Sequence, residues 1–175
     1  YSVFEPEVCA TFGKIKQLGH NIGLHFDTEV LAHQSNADYE RRIVFEAQTL
    51  EEVLETKISS FTLHNPTTIS GAAIDSPMYA GLGNASSSSF RDHFEYCSDS
   101  NGFWRFRKLY DVISDSGVKR LYALTHPEWW QQEGLSPRLR IQRCIDGRAK
   151  FSAEYYDKLL KSHNRVNVGG PHNSP

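Results

Sequence analysis

Three histidines stand where strand-like segments run out, each beside a group that gives it chemical use. "GLHFD" (23–27) ends in His25 and Asp27. Residues two apart on an extended segment share a face. A neutral imidazole with a carboxylate is a good donor pair for zinc or a similar divalent ion. "FTLHNP" (61–66) sets His64 ahead of Pro66, which cannot donate to a ladder and turns the chain. His64 is thereby a candidate metal ligand or substrate contact. "LTHPEWW" (124–130) carries His126, and histidine is the usual general acid or base near neutral pH. Trp129 and Trp130 follow it, and their flat faces suit sugar rings. Glu128 is placed either to orient His126 or to be solvated. "SDSNGFWRF" (98–106) brings Asp99, Trp104 and Arg105 into a Gly-containing turn. An Arg there can clamp a carboxylate or phosphate through two bonds.

Each group also has a bland explanation. His25–Asp27 reads equally as a surface hydrogen bond, His64 as a turn residue bonded to backbone, the tryptophans as packing and Arg105 as a surface ion pair. What favours chemistry is position. Packing scatters histidines along strands and does not set three of them at the same end. His20, at the start of its strand, reads as structural.

The elements that must position these residues follow from periodicity. A helix is expected over 5–18, with Pro6 in its first turn, Val8, Phe12, Ile15 and Leu18 at helical spacing, and Gly19 just past its end. "HNIGLHFD" (20–27) reads as a strand. Residues 38–55 form the clearest helix, with Asp38 as cap and Ile43, Ala47, Leu50 and Leu54 as one apolar stripe. "KISSFTLHNP" (57–66) is a second strand. Residues 67–90 are rich in Gly and Ser and read as a long functional or flexible loop. "DHFEYCSD" (92–99) and "VKRLYALTHP" (118–127) read as strands, separated by a helix over 107–115, and a final helix covers 136–163. Its Tyr155, Leu159 and Leu160 share a face. The tail beyond 165 is expected to fray. Alternation of this kind implies parallel strands with crossover helices, in a doubly wound sheet or part of a (β/α) barrel. Both place ligand sites at the C-terminal strand ends.

Bulk properties bound the reading. The chain has 175 residues and a formal net charge of −2, with 39% apolar and 23% charged residues. This is a globular profile with room for one domain. Without a basic excess, nucleic acid is not an expected partner. No apolar run is long enough to span a bilayer. Cys9, Cys97 and Cys144 form no CxxC pair and read as reduced thiols of a cytoplasmic protein. "SSSS" (86–89) lacks the Lys of a phosphate loop. Asn84-Ala-Ser matches a glycosylation sequon by pattern alone.

At "LGHNIGLHFD" (18–27) the sequence resembles the polysaccharide deacetylase superfamily, also called NodB-homology or carbohydrate esterase family four. Gly19, His20, Ile22, Gly23 and His25 match its Gly-His-x-Ile-Gly-x-His motif. "DSNGFWRF" is similar to the family's Asp/Trp motif with one extra residue, and "ALTHP" (123–127) to its final Leu-x-x-His motif, whose His acts as general acid. Taken together with "FTLHNP", the chain more closely resembles a divergent branch associated with surface-polysaccharide biosynthesis. The likeness spans about residues 5 to 131. Glu29 stands where the family has its second metal His, and "ISSFTLHNP" does not match the family's Arg-Pro-Pro-Tyr motif. The family's first motif, an Asp pair supplying the base and one ligand, is absent, so the first strand is expected to lie upstream of Tyr1.

The resemblance implies a (β/α) barrel, incomplete at its N-terminus, with residues 1–165 as one catalytic domain. It implies removal of an N- or O-acyl group from a carbohydrate with the help of a divalent metal, zinc above all. The metal would be held by His25 with Asp27 or His64, the place of the family's second His being filled by Glu29, Asp27 or His64 or the metal site being altered, and His126 would be catalytic. Asp99, Trp104, Arg105, Trp129 and Trp130 would meet the substrate. Two rivals are a non-catalytic carbohydrate-binding or scaffold protein on the same fold, and a metal-dependent amidohydrolase acting on a small molecule.

Overall fold

A computed structural model describes residues 2–31, 35–65 and 74–168. It divides into two compact units: Tyr1–Glu95 with Ser116–Tyr122, and Tyr96–Asp115 with Ala123–Pro175.

The first unit opens with helix α1 (Pro6–Gln17), entered through Glu5 with Pro6 in the first turn. Its end is the expected one. Gly19, at φ +87°, donates its N–H to Lys16 O at 2.9 Å, and His20 N–H reaches Ile15 O at 3.4 Å. This pair of bonds satisfies carbonyls the helix leaves open, in a left-handed conformation that glycine adopts without steric cost. Phe12 and Ile15 pack against the core, but Leu18 is the C-cap and is 76% exposed. The apolar spacing therefore stops one turn earlier than expected.

Strand β1 (Leu24–Asp27) follows, then a 3-10 turn (Thr28–Leu31), helix α2 (Asn36–Leu54) and strand β2 (Ser60–His64). β1 and β2 are parallel, so β1–α2–β2 is the crossover unit that the alternation implied. The cap of α2 is Ser35 rather than Asp38. Asp38 sits three residues into the helix, and the two close a reciprocal capping box. Ile43, Ala47 and Leu54 are buried and Leu50 is partly so, as the stripe required. They cover Leu24, Phe26 and Phe61 on one face of the strands, with Phe26 and Phe61 at 0% and 1% exposure. Gly23 has a steric reason for its identity: a Cβ there would come within 3.1 Å of both Ser60 O and Ser60 Oγ.

Within the segment expected to be a loop, residues 66–73 lie outside the described residues. The remainder is ordered into structure that composition hid. Strands β3 (Met78–Tyr79) and β4 (Leu82–Asn84) form a tight antiparallel hairpin, and helix α3 (Ser88–Arg91) follows. β4 adds to β2 in parallel, giving the sheet order β1-β2-β4-β3.

Strands β5 (Glu95–Ser98) and β6 (Leu121–Leu124) make a separate two-stranded sheet. Its bonds Glu95 N–H to Arg120 O and Asp99 N–H to Leu124 O advance together along both segments, as in a parallel pair. The second unit holds most of β5, a 3-10 turn (Ser100–Gly102), helix α4 (Leu109–Ile113), the end of β6, a 3-10 turn (Pro127–Trp129) and helix α5 (Pro137–Ser162), which is capped by Ser136. Cys97 and Val112 are its fully buried apolar side chains among the described residues. The described strands thus lie in one four-stranded and one two-stranded sheet of a mixed α/β chain.

Candidate functional site

In the first unit, the parallel register of β1 and β2 sets His25 opposite Thr62 and Asp27 opposite His64. Leu24, Phe26 and Phe61 point to the buried face, so by the two-residue alternation these four side chains share the other one. They form a polar square. His25 Nδ1 and Thr62 Oγ1 share a hydrogen bond of 2.8 Å. The His25 and His64 rings meet edge to face with centroids 5.4 Å apart. His64 Nδ1 lies 3.6 Å from Asp27 Oδ1.

That last distance is too long for a hydrogen bond. It is close to the ~3.4 Å that separates two ligands on a tetrahedral zinc ion with bonds of ~2.0–2.1 Å. The chemistry of the donors, two imidazoles and a carboxylate, also suits such an ion. Yet among the described residues no three His, Cys, Asp or Glu side chains are gathered as a metal cage. Asp27 and His64 stand at ligand spacing, and His25 is turned toward Thr62. The structure brings Asp27 and His64 side by side and leaves His25 bonded to Thr62.

Around the square, the loop ends are tied together. Glu29 N–H donates to Asp27 Oδ1 at 3.0 Å, Thr28 Oγ1 donates to His64 O at 3.0 Å, and Asn65 Nδ2 donates to Glu29 Oε1 at 3.0 Å. Asn65 does this from a left-handed backbone conformation, φ 56°. Thr62 was not singled out from the sequence, although it lies two residues before His64 on an extended segment. The same spacing rule that joined His25 to Asp27 also covers Thr62 and His64.

In the second unit, Asp99 and His126 form a tight pair. His126 Nδ1 donates to Asp99 Oδ1 at 2.7 Å, and the His126 backbone N–H donates to Asp99 Oδ2 at 3.1 Å. Asp99 is 4% exposed, while the His126 side chain is 34% exposed. A buried carboxylate thus holds the ring through Nδ1, and Nε2 is the other ring nitrogen. Asp99 lies beneath His126, with both of its carboxylate oxygens bonded to that residue. Ser98 and Ser100 flank it and bond to each other at 2.7 Å.

The aromatic groups separate by exposure. Trp130 is 66% exposed, and Trp104 is half-buried. Trp129 has its ring 6.4 Å from that of His126, and its buried Nε1 has no hydrogen-bond partner among the described residues. It packs near Gly102, where an added Cβ would lie 3.6 Å from Trp129 Cε3 and 3.0 Å from Pro137 Cγ. Its carbonyl accepts from Arg140 at 3.1 Å. Trp129 therefore fastens the start of α5 to the turn, and Trp130 is the ring presented outward. Arg105 stacks over Phe103, 5.6 Å from the ring centroid, and no bond joins it to Asp99 among the described residues. Glu128 offers its carbonyl to Gln131 at 2.9 Å, whereas the carboxylate that orients His126 comes from Asp99. His20 is exposed and enters through its backbone, in the close of α1.

The three cysteines are free thiols, with Cys97 buried, Cys9 half-buried and Cys144 exposed. No helix among the described residues is long and apolar enough to cross a membrane. No family model, curated protein or solved structure matches the chain.

Proposed function

We propose that this chain carries residues of a metal-dependent hydrolase that removes an N- or O-acyl group from a carbohydrate. The observation that carries the reading is the Asp99–His126 pair: a partly exposed imidazole whose Nδ1 is held at 2.7 Å by a buried carboxylate. That arrangement dedicates Nε2 to one proton transfer, here to the leaving amine or alcohol. Asp99 is a positioning residue in this scheme, and His126 is the acid.

The reading assigns a divalent cation, zinc above all, to His25, Asp27 and His64. When bound, such an ion polarises the acyl carbonyl and lowers the pKa of a bound water. The chain's own contribution there is to hold His25 and Asp27 on one face of β1 and His64 opposite Asp27. Trp130 and Trp104 supply flat faces for sugar rings. Arg105 has guanidinium donors for substrate oxygens beyond its stacking on Phe103. The resemblance to polysaccharide deacetylases implies these roles for His25 and His126.

The test combines metal analysis with deacetylation of acetylated glycan oligomers. Metal bound in stoichiometric amount, and activity lost in His126→Ala, is the expected result. Unchanged activity in that variant sinks the mechanism.

One observation favours a second reading, a non-catalytic carbohydrate-binding or scaffold protein. Glu29 occupies the place of the family's second metal His, and its carboxylate is engaged by Asn65. Glycan binding without any metal, and without turnover, would select it.

A further inference from the structure

Helix α5 is 26 residues long and buries none of its side chains. Its start is anchored: Pro137 lies by Gly102, and Arg140 donates to Trp129 O at 3.1 Å and to Leu135 O at 2.8 Å. Beyond this, Ile141, Ile145, Phe151, Tyr155, Tyr156 and Leu159 are each between 38% and 55% exposed. At about 100° per residue, Ile141, Ile145, Tyr155 and Leu159 fall within about 40° of one line along the helix, with Arg148 and Ser152 between them on that line and Tyr156 and Phe151 at its borders. Amphipathic helices ordinarily turn such a stripe to a core.

The helix is also basic. It carries seven Lys and Arg against three Asp and Glu, a net of +4 in a chain whose formal charge is −2. Lys158 lies beside the stripe, and Lys161 and Lys150 lie on the opposite face. A basic helix with aromatic and aliphatic residues on one side has the character of a segment that lies in the plane of an anionic lipid surface. Tyrosine suits the headgroup level, and flanking cations meet acidic headgroups.

Size argues against a second copy of α5 as the occupant. The helix is ~39 Å long, and a stripe ~10 Å wide offers ~400 Å² per copy. Two copies would bury ~800 Å², the scale of a crystal contact rather than of a stable pair, which needs ~1,200–2,000 Å². A lipid surface needs no matching partner area, and its charge complements the helix.

We propose that α5 binds the surface of anionic membranes, lying in the interface with Ile145 and Tyr155 inserted. This does not depend on the acyl-hydrolase reading. The test is co-sedimentation of the full chain with phosphatidylcholine vesicles, with and without phosphatidylglycerol. The expected result is binding to the phosphatidylglycerol vesicles that weakens with added salt. It should fall at least ~10-fold in Ile145→Asp/Tyr155→Asp and several-fold in Lys158→Glu, the cation beside the stripe. All three positions are exposed, and circular dichroism checks that the variants keep their helix. Absence of wild-type binding to anionic vesicles overturns the proposal. So does equal binding by the variants. A salt-resistant dimer, dispersed by Ile145→Asp/Tyr155→Asp and indifferent to vesicles, overturns it in favour of a second copy.

Discussion

Asp99 uses both of its carboxylate oxygens on His126, one for the ring and one for the backbone, at 2.7 and 3.1 Å. The residues are 27 apart in sequence, at the ends of neighbouring strands β5 and β6. An acceptor with two oxygens is required, because both partners are N–H donors. Asp99→Asn keeps the shape but presents an NH₂ group to one of them. We predict that it releases the His126 ring from the Nδ1–H tautomer and lowers kcat by about 10²–10⁴-fold. Nitrogen-15 NMR of the imidazole checks the first effect without any substrate, and steady-state deacetylation checks the second. An Asn variant with the wild-type tautomer and rate would contradict the assignment.

Metal affinity should divide the polar square of the first unit. Asp27 and His64 already stand 3.6 Å apart, at ligand spacing, whereas Thr62 touches the site only through His25 Nδ1. Asp27→Ala, His64→Ala and His25→Ala each remove a donor and should abolish stoichiometric zinc or manganese binding. Thr62→Val removes the bond that turns His25 toward Thr62, and should leave binding unchanged or strengthen it. Calorimetric titration of the metal-free protein measures all four. Equal, small effects across the set would mean that the ion binds elsewhere or not at all.

The parts of this arrangement legible in the sequence are those set by local spacing. His25 with Asp27, the α2 stripe of Ile43, Ala47 and Leu54, and the close of α1 at Gly19 each depend on a period or a single backbone conformation. The link between Asp99 and His126 depends on strand pairing, which no spacing within one segment encodes. Strand β4 escaped notice because Leu82, Gly83 and Asn84 are too few to alternate and sit among glycines and serines. Its place beside β2 comes from tertiary bonds such as Ala85 N–H to Phe61 O at 3.0 Å. By sequence Asp38 reads as the cap of α2, because both residues of a capping box are good caps by type. Only the backbone geometry of Ser35, extended at φ −78°, tells them apart.

Two carboxylates make the stability depend on acid pH. Asp38 accepts from the Ser35 hydroxyl and backbone N–H at 2.6 and 3.1 Å, and these bonds, with Arg41 nearby, hold its pKa below the usual carboxylate range. Asp75 accepts from the Ser88 hydroxyl and N–H, both at 2.6 Å, with the same effect, and Arg91 adds to it. A group whose pKa is depressed in the folded state contributes stability above its unfolded pKa and loses it as pH falls through the folded one. Wild type should therefore exceed Asp38→Asn/Asp75→Asn in Tm at neutral pH, and the gap should close as pH falls below about 4. Thermal unfolding across that range measures it. A gap that is constant with pH would mean that the substitutions act through shape alone.

Asn84 is the first residue of a glycosylation sequon, but its side chain is already spoken for. It is 1% exposed and donates to Ile74 O at 2.6 Å and to Ser76 O at 3.1 Å, while its Oδ1 accepts from Ser86 N–H at 3.0 Å. Ser86, the third sequon residue, in turn accepts from Leu63 N–H at 2.9 Å, one residue before His64. Together they fasten the β3–β4 hairpin to β2, on which one side of the polar square stands. A glycan on Nδ2 would displace two carbonyl bonds from a buried position. We predict that the folded chain exposed to an oligosaccharyltransferase keeps the mass of the bare polypeptide. Asn84→Ala should cost about 1–3 kcal/mol for each buried polar group it leaves unpaired, read as a shift in urea midpoint. A glycan on Asn84 of the native, unshifted protein would require the hairpin to be held by other contacts.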